Sequence, residues 1–143
     1  MYMKKITLKR PKESFNRNCS YEILVGKRKL TELKNGEEKV VEIPNELENG
    51  EIKAKIQWCG SEKIELNNFS KNEILKVSGN KFLNKKSMYI IALLPLTGVL
   101  MFGYGRENPM IKNVGISLFL VLIAFVLGIM TVWKNKWLIL TTE

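Results

Sequence analysis

Few residues in this 143-residue sequence carry the side-chain chemistry from which a catalytic or ligand site is built. Cys19 and Cys59 are the two cysteines and histidine is absent, so a zinc site made from Cys and His spacing lacks ligands. For the same reason a cysteine nucleophile lacks its usual base. Two readings of the thiols stand: small buried hydrophobes, or a disulfide in an oxidising compartment. The carboxylates come in short pairs, Glu37 with Glu38 and Glu46 with Glu48. Both pairs fall in turn-like stretches, and nothing beside them implies the apolar pocket that would raise a carboxyl pKa for acid catalysis. The expectation is a chain without catalytic, metal-binding or cofactor-binding residues, not an enzyme.

The cations offer more. Lys27, Arg28 and Lys29 cluster at a hairpin tip, and Lys4, Lys5, Lys9, Arg10 and Lys12 crowd the N-terminus; both groups read as solvated surface. Acidic residues interleave with them throughout, which argues against a nucleic-acid-binding face. Lys81, Lys85 and Lys86 stand immediately before an apolar run, where each is worth about 1 kcal/mol against an anionic leaflet. Trp133, Lys134, Lys136 and Trp137 follow a second apolar run, and aromatic rings with snorkelling lysines are what a headgroup layer selects. These seven are the candidate membrane-interface residues. Membrane lipids and a protein partner are the partners they imply, with no small-molecule substrate in evidence.

The elements that must position them are divided near Ser87. Residues 1–86 hold 19 of the 23 basic and 12 of the 14 acidic residues, a charge of +7, and the remainder carries +2. Met88 to Tyr104 and Val114 to Trp133 contain no charged residue and reach roughly 26 and 30 Å as helices, close to the hydrocarbon thickness of a bilayer. A helix that is apolar on every side needs either lipid or a large protein layer around it. Between the runs, Gly105 to Asn113 holds an Asn-Pro step and is short enough to force an antiparallel hairpin. Pro95 interrupts the first run, with Thr97 and Gly98 beside it to re-satisfy a freed carbonyl. Lys76, Lys81, Lys85, Lys86, Lys134 and Lys136 outnumber Arg106 and Lys112 of the loop, so both termini are expected on the cytoplasmic side of a bacterial inner membrane. Met1 to Arg10 breaks its apolar residues with Lys4, Lys5, Lys9 and Arg10 and does not read as a signal peptide.

The expected organisation is therefore a soluble domain over residues 1–80, a basic linker over 81–87, transmembrane helices over 88–104 and 114–133 joined by the loop 105–113, and a tail over 134–143. The apolar Leu138 to Leu140 of that tail fits either the membrane interface or the soluble domain. Along residues 3–79, short β-branched runs alternate with Gly, Asn and Pro, the pattern of an all-β sandwich. Seven short antiparallel strands are predicted: Lys4–Lys9, Tyr21–Val25, Lys29–Leu33, Lys39–Ile43, Ile52–Trp58, Lys63–Leu66 and Ile74–Val77. The strict alternation of Ile52, Ala54, Ile56 and Trp58 with Lys53, Lys55 and Gln57 marks the central one. Asn35-Gly36 and Asn49-Gly50 supply hairpin turns, and Pro44 ends a strand.

The motifs Ile23–Lys27 (ILVGK), Lys34–Glu37 (KNGE), Ile43–Ile52 (IPNELENGEI) and Ile56–Gly60 (IQWCG) resemble those of PEGA-like domains, small bacterial β-sandwich modules, over residues 20–79. The chain departs from that pattern in the spacing of Pro44 and Gly50 and in Trp58-Cys59. The resemblance implies a non-catalytic spacer or interaction module, of a kind often found outside the cytosol, and transfers no site residues. The function expected is a membrane-anchored interaction or scaffold protein. The alternative is a small subunit of a membrane transport or pore complex, with the sandwich as regulatory cap.

Overall fold

The computed structural model describes residues 4–69 and 73–143; residues 1–3, the start of the N-terminal stretch, and 70–72, within the PEGA-like region, lie outside the described residues. The chain forms two compact units, Met1–Asn80 with Lys134–Glu143, and Lys81–Trp133.

The first unit is built from strands whose side chains alternate inward and outward, as the pleat requires. They are β1 (Lys4–Lys9), β2 (Tyr21–Val25), β3 (Arg28–Leu33), β4 (Glu38–Ile43), β5 (Glu51–Ile56), β6 (Cys59–Gly60), β7 (Ile64–Glu65), β8 (Ile74–Gly79) and β9 (Leu138–Thr142). One sheet runs β4-β1-β8-β9; the other runs β3-β2-β5-β6, with β7 also on β5. Ile6 and Leu8 of β1, Ile43 of β4, Leu75 and Val77 of β8 and Leu138 of β9 meet Tyr21, Ile23, Val25, Leu33, Ile52, Ala54 and Ile56 of the other sheet in a single buried core. This is a β-sandwich, with β5 in the interior of its sheet.

Three expectations are corrected. Nine strands form among the described residues where about seven were predicted. They are not all antiparallel: β1 and β8 pair in parallel, Leu8 opposite Leu75, because β8 is fed into the sheet by a long connection and not by a hairpin. The strand predicted over Ile52–Trp58 ends at Ile56, because Gln57 adopts φ 48° and turns the chain into β6. Trp58 is therefore not an inward residue of the central strand but sits 44% exposed in the turn.

The tail resolves as β9. It pairs antiparallel with β8, Gly79 opposite Leu138 and Leu75 opposite Thr142, and puts Leu138 into the core. The helical unit is thus an insertion between two hydrogen-bonded neighbours of one sheet.

Two helices in the second unit are long and apolar enough to cross a membrane, Phe82–Arg106 and Pro109–Thr131, and within their most apolar windows only 11% and 17% of residues are buried. A core helix of a soluble domain would show the reverse. The first starts upstream of the predicted Met88, so Lys85 and Lys86 are helical and not linker. It is irregular: around Pro95, which cannot donate, Leu96 N–H bonds Leu93 C=O at 3.1 Å and the Thr97 hydroxyl donates to Leu94 C=O at 2.6 Å. The second helix begins at Pro109, five residues before the predicted Val114. Asn108 caps it by accepting the Met110 N–H at 3.0 Å, and proline at the first helical position suits an end whose N–H groups are unused. The two helices pack at Gly115, where a Cβ would lie 2.9 Å from Met101 Cγ.

Candidate functional site at the exit end of the sandwich

The strand register assigns each loop of the sandwich to one of two ends. β8 ends at Gly79, from which the chain leaves for the helices, and Leu138 opposite it marks the return. Lys9 is in line with Lys76 and opposite Glu38, so the long β1–β2 loop and the β3–β4 turn belong to this exit end. The β5–β6 turn joins them: Trp58 and Trp137 meet edge to face at 5.8 Å.

The β1–β2 loop is held by a buried ion pair. Inward positions of β1 are Ile6, Leu8 and, continuing the alternation, Arg10, whose side chain is fully buried with its carbon Cζ 3.5 Å from the centre of the Tyr21 ring. Its guanidinium donates to the carbonyls of Cys19 (2.6 Å), Asn16 (2.8 Å) and Leu33 (3.1 Å), and lies 3.5 Å from Glu13 Oε2. Arg10 Nε is a buried donor without a partner among the described residues. Glu13 is almost as buried, and it accepts the Tyr21 hydroxyl and the Gly79 N–H, both at 2.5 Å. Burial, followed by the hydrogen bond to Glu13, pushes the Tyr21 phenol far above its ordinary pKa, so it stays a donor. This corrects the reading of Arg10 as one of a solvated N-terminal cluster. The signal was the period of two that carries Ile6 and Leu8 on to Arg10.

Asn35 locks the loop onto the β3–β4 turn by a paired exchange, accepting Glu13 N–H at 2.8 Å and donating to Glu13 C=O at 3.0 Å. Gly36 makes the turn possible: its φ is +77°, and a Cβ there would stand 2.7 Å from Lys12 Cγ. Between loop and turn lies an open cavity of about 630 Å³ lined by Lys12, Glu13, Ser14, Arg17, Asn18, Lys34 and Asn35. No family model, curated protein or solved structure matches this chain. The chemistry of the site therefore has to come from its own residues.

The seven candidate interface residues are distributed over both units. Lys85 and Lys86 are exposed on the first apolar helix, which Lys81 precedes. Trp133 packs edge to face on Phe125 of the second helix at 5.9 Å. Lys134 and Lys136 are exposed in the short turn that re-enters the sandwich, with Lys136 3.9 Å from Glu62. Trp137 packs against the sandwich core. Cys19 and Cys59 are free thiols; burial raises the Cys59 pKa, the direction of an inert and not a nucleophilic cysteine. Among the described residues no group of three or more His, Cys, Asp or Glu is placed to hold a metal ion.

Proposed function

We propose that this chain is a non-catalytic, membrane-anchored module that presents a β-sandwich at the surface of a bacterial inner membrane, where it engages lipid and a protein partner. The observation that carries the reading is the insertion of two exposed apolar helices between β8 and β9. Both flanks of the insertion belong to one hydrogen-bonded sheet, so the chain must return to the side of the membrane it left. Two crossings in an antiparallel hairpin satisfy this, and a helix is the element that closes most of its backbone hydrogen bonds within the segment. The excess of lysines flanking the insertion supports a cytoplasmic sandwich. The PEGA-like resemblance is consistent with a module that recognises without chemistry.

Thiol labelling in intact cells tests the arrangement. With the native cysteines replaced, Lys27→Cys in the sandwich and Glu107→Cys between the helices are exposed to an impermeant maleimide. Labelling of Glu107→Cys alone is expected. Equal labelling of both would overturn the hairpin, and labelling of Lys27→Cys alone would reverse its orientation.

A second reading, a subunit of a larger membrane complex, is favoured by one feature. The second helix carries Asn113 and Ser117 beside Met110, Val114, Leu118 and Val121, all lining one open groove. Polar side chains at this spacing join helices within a bilayer. Co-purification of a second membrane protein in detergent, lost on Ser117→Leu, would support it.

A further inference from the structure

We infer that the cavity between the β1–β2 loop and the β3–β4 turn is a binding site for the phosphate-bearing headgroups of anionic lipids. The inference rests on the membrane-anchored reading above and gives the sandwich a ligand class. Lys12, Arg17 and Lys34 line the cavity, all three are exposed, and among the described residues none of them forms an ion pair. The one carboxylate in the lining, Glu13, is committed to Arg10, Tyr21 and Gly79, and Glu37, which acts on Lys34 from outside the lining, is itself bonded to the Lys34 N–H and paired with Lys39. Ser14 and Asn18 add polar groups suited to phosphate and glycerol oxygens.

One further observation selects lipid over a free anion. The cavity is at the exit end: Glu13, in its lining, bonds the backbone N–H of Gly79, the last residue of the strand that leads to the apolar helices. The chain itself thus tethers this end within a few residues of the bilayer the helices enter, which makes the effective headgroup concentration high. The loop is also built in advance, fixed by the three carbonyl bonds of Arg10 and the two of Asn35, so little ordering cost opposes binding. The opposite end of the sandwich carries both signs, with exposed Lys27 and Arg28 at the β2–β3 hairpin and Glu46 and Glu48 in the β4–β5 loop.

The full chain is reconstituted into nanodiscs of phosphatidylcholine alone and of an equal mixture with phosphatidylglycerol, and amide hydrogen exchange is followed in residues 10–20 and 34–37. Exchange there is expected to slow by about fivefold or more in the anionic discs. The effect should vanish in Lys12→Gln/Arg17→Gln/Lys34→Gln and persist in Lys27→Gln/Arg28→Gln, which removes two exposed cations from the other end. Equal exchange in the two lipids would overturn the site. So would slowing in phosphatidylcholine discs on addition of inorganic phosphate, which would make it a free-anion site. Failure of the chain to co-purify with either disc would overturn the anchoring reading together with the site that rests on it, whereas retention without lipid-dependent protection overturns the site alone.

Discussion

Leu8, Ile23 and Ile52 in the sandwich are closed off from solvent, whereas Leu120, Val121 and Leu127 in the second apolar helix are each more than half exposed. The two units hold similar numbers of aliphatic residues, the helical unit in far fewer positions, yet one folds them into a shared core and the other turns them outward. The difference follows from period. Alternation gives each strand one apolar face, which two sheets can cover completely. Val114 to Trp133 is apolar all round, and one neighbouring helix covers only a strip of it. The sandwich supplies its own apolar solvent, and the helices require one from outside.

The sharpest way to break the contrast is through the charge inside the sandwich. Glu13→Ala leaves Arg10 buried without its counter-charge and also removes the acceptor for Tyr21 and Gly79. Removing one partner of a buried ion pair costs about 3–5 kcal/mol, comparable to the whole stability of a domain this small. Urea unfolding followed by the emission of Trp58 and Trp137 should show the midpoint collapse. A change under 1 kcal/mol, by the same standard, would mean the loop is not held as described.

Next in size is a matched pair of truncations. Leu138→Ala opens a cavity in the core beneath β9 and should cost about 2–4 kcal/mol. Leu120→Ala, on an exposed helix face, should stay within roughly 0.5 kcal/mol for the sandwich transition. If Leu138→Ala were equally silent, β9 would not be part of the sandwich, and the return of the chain to its starting side would lose its support.

These two sites also mark what could and could not be read from the residues alone. The helices were legible because uncharged runs of 17 and 20 residues admit few interpretations, and the sandwich was legible from alternation and turn residues. β9 was not. Its alternation of Leu138 and Leu140 is too short to stand by itself, and the strand it pairs with is separated from it by the entire helical unit. Periodicity reports which face a strand buries but not its neighbour, and for that reason the parallel pairing of β1 with β8 was equally hidden. Arg10 was misjudged because charge was weighed before register, and Trp58 because alternation was carried one step past the left-handed Gln57.

Gly36→Ala tests the turn that closes the proposed headgroup cavity. A side chain at φ +77° costs about 1–2 kcal/mol, and the new methyl would press on Lys12 Cγ, so the Lys12 side chain has to shift. Urea midpoints should fall accordingly, with the helical unit unaffected. In anionic nanodiscs the same variant should weaken protection of residues 10–20, because Lys12 is displaced from the cavity.

The smallest expected effect is a pH dependence on the surface of the same turn. Glu37 accepts the Lys34 N–H at 2.6 Å and pairs with Lys39 at 2.9 Å, and these, in that order, hold its carboxyl below the ordinary glutamate value. A folded-state pKa below the unfolded one means the unfolded chain binds the proton more readily. The contribution is therefore complete above the unfolded pKa of about 4.3 and is lost as pH falls through the lower folded value. Because the group is partly exposed, solvent and salt screen it and the change is small. Wild type and Glu37→Gln should differ in urea midpoint near neutral pH and converge in acid. A difference that grew as pH fell would have the wrong sign for a carboxylate stabilised by its partners, and would place the Lys34 N–H and Lys39 contacts outside the forces that hold the turn.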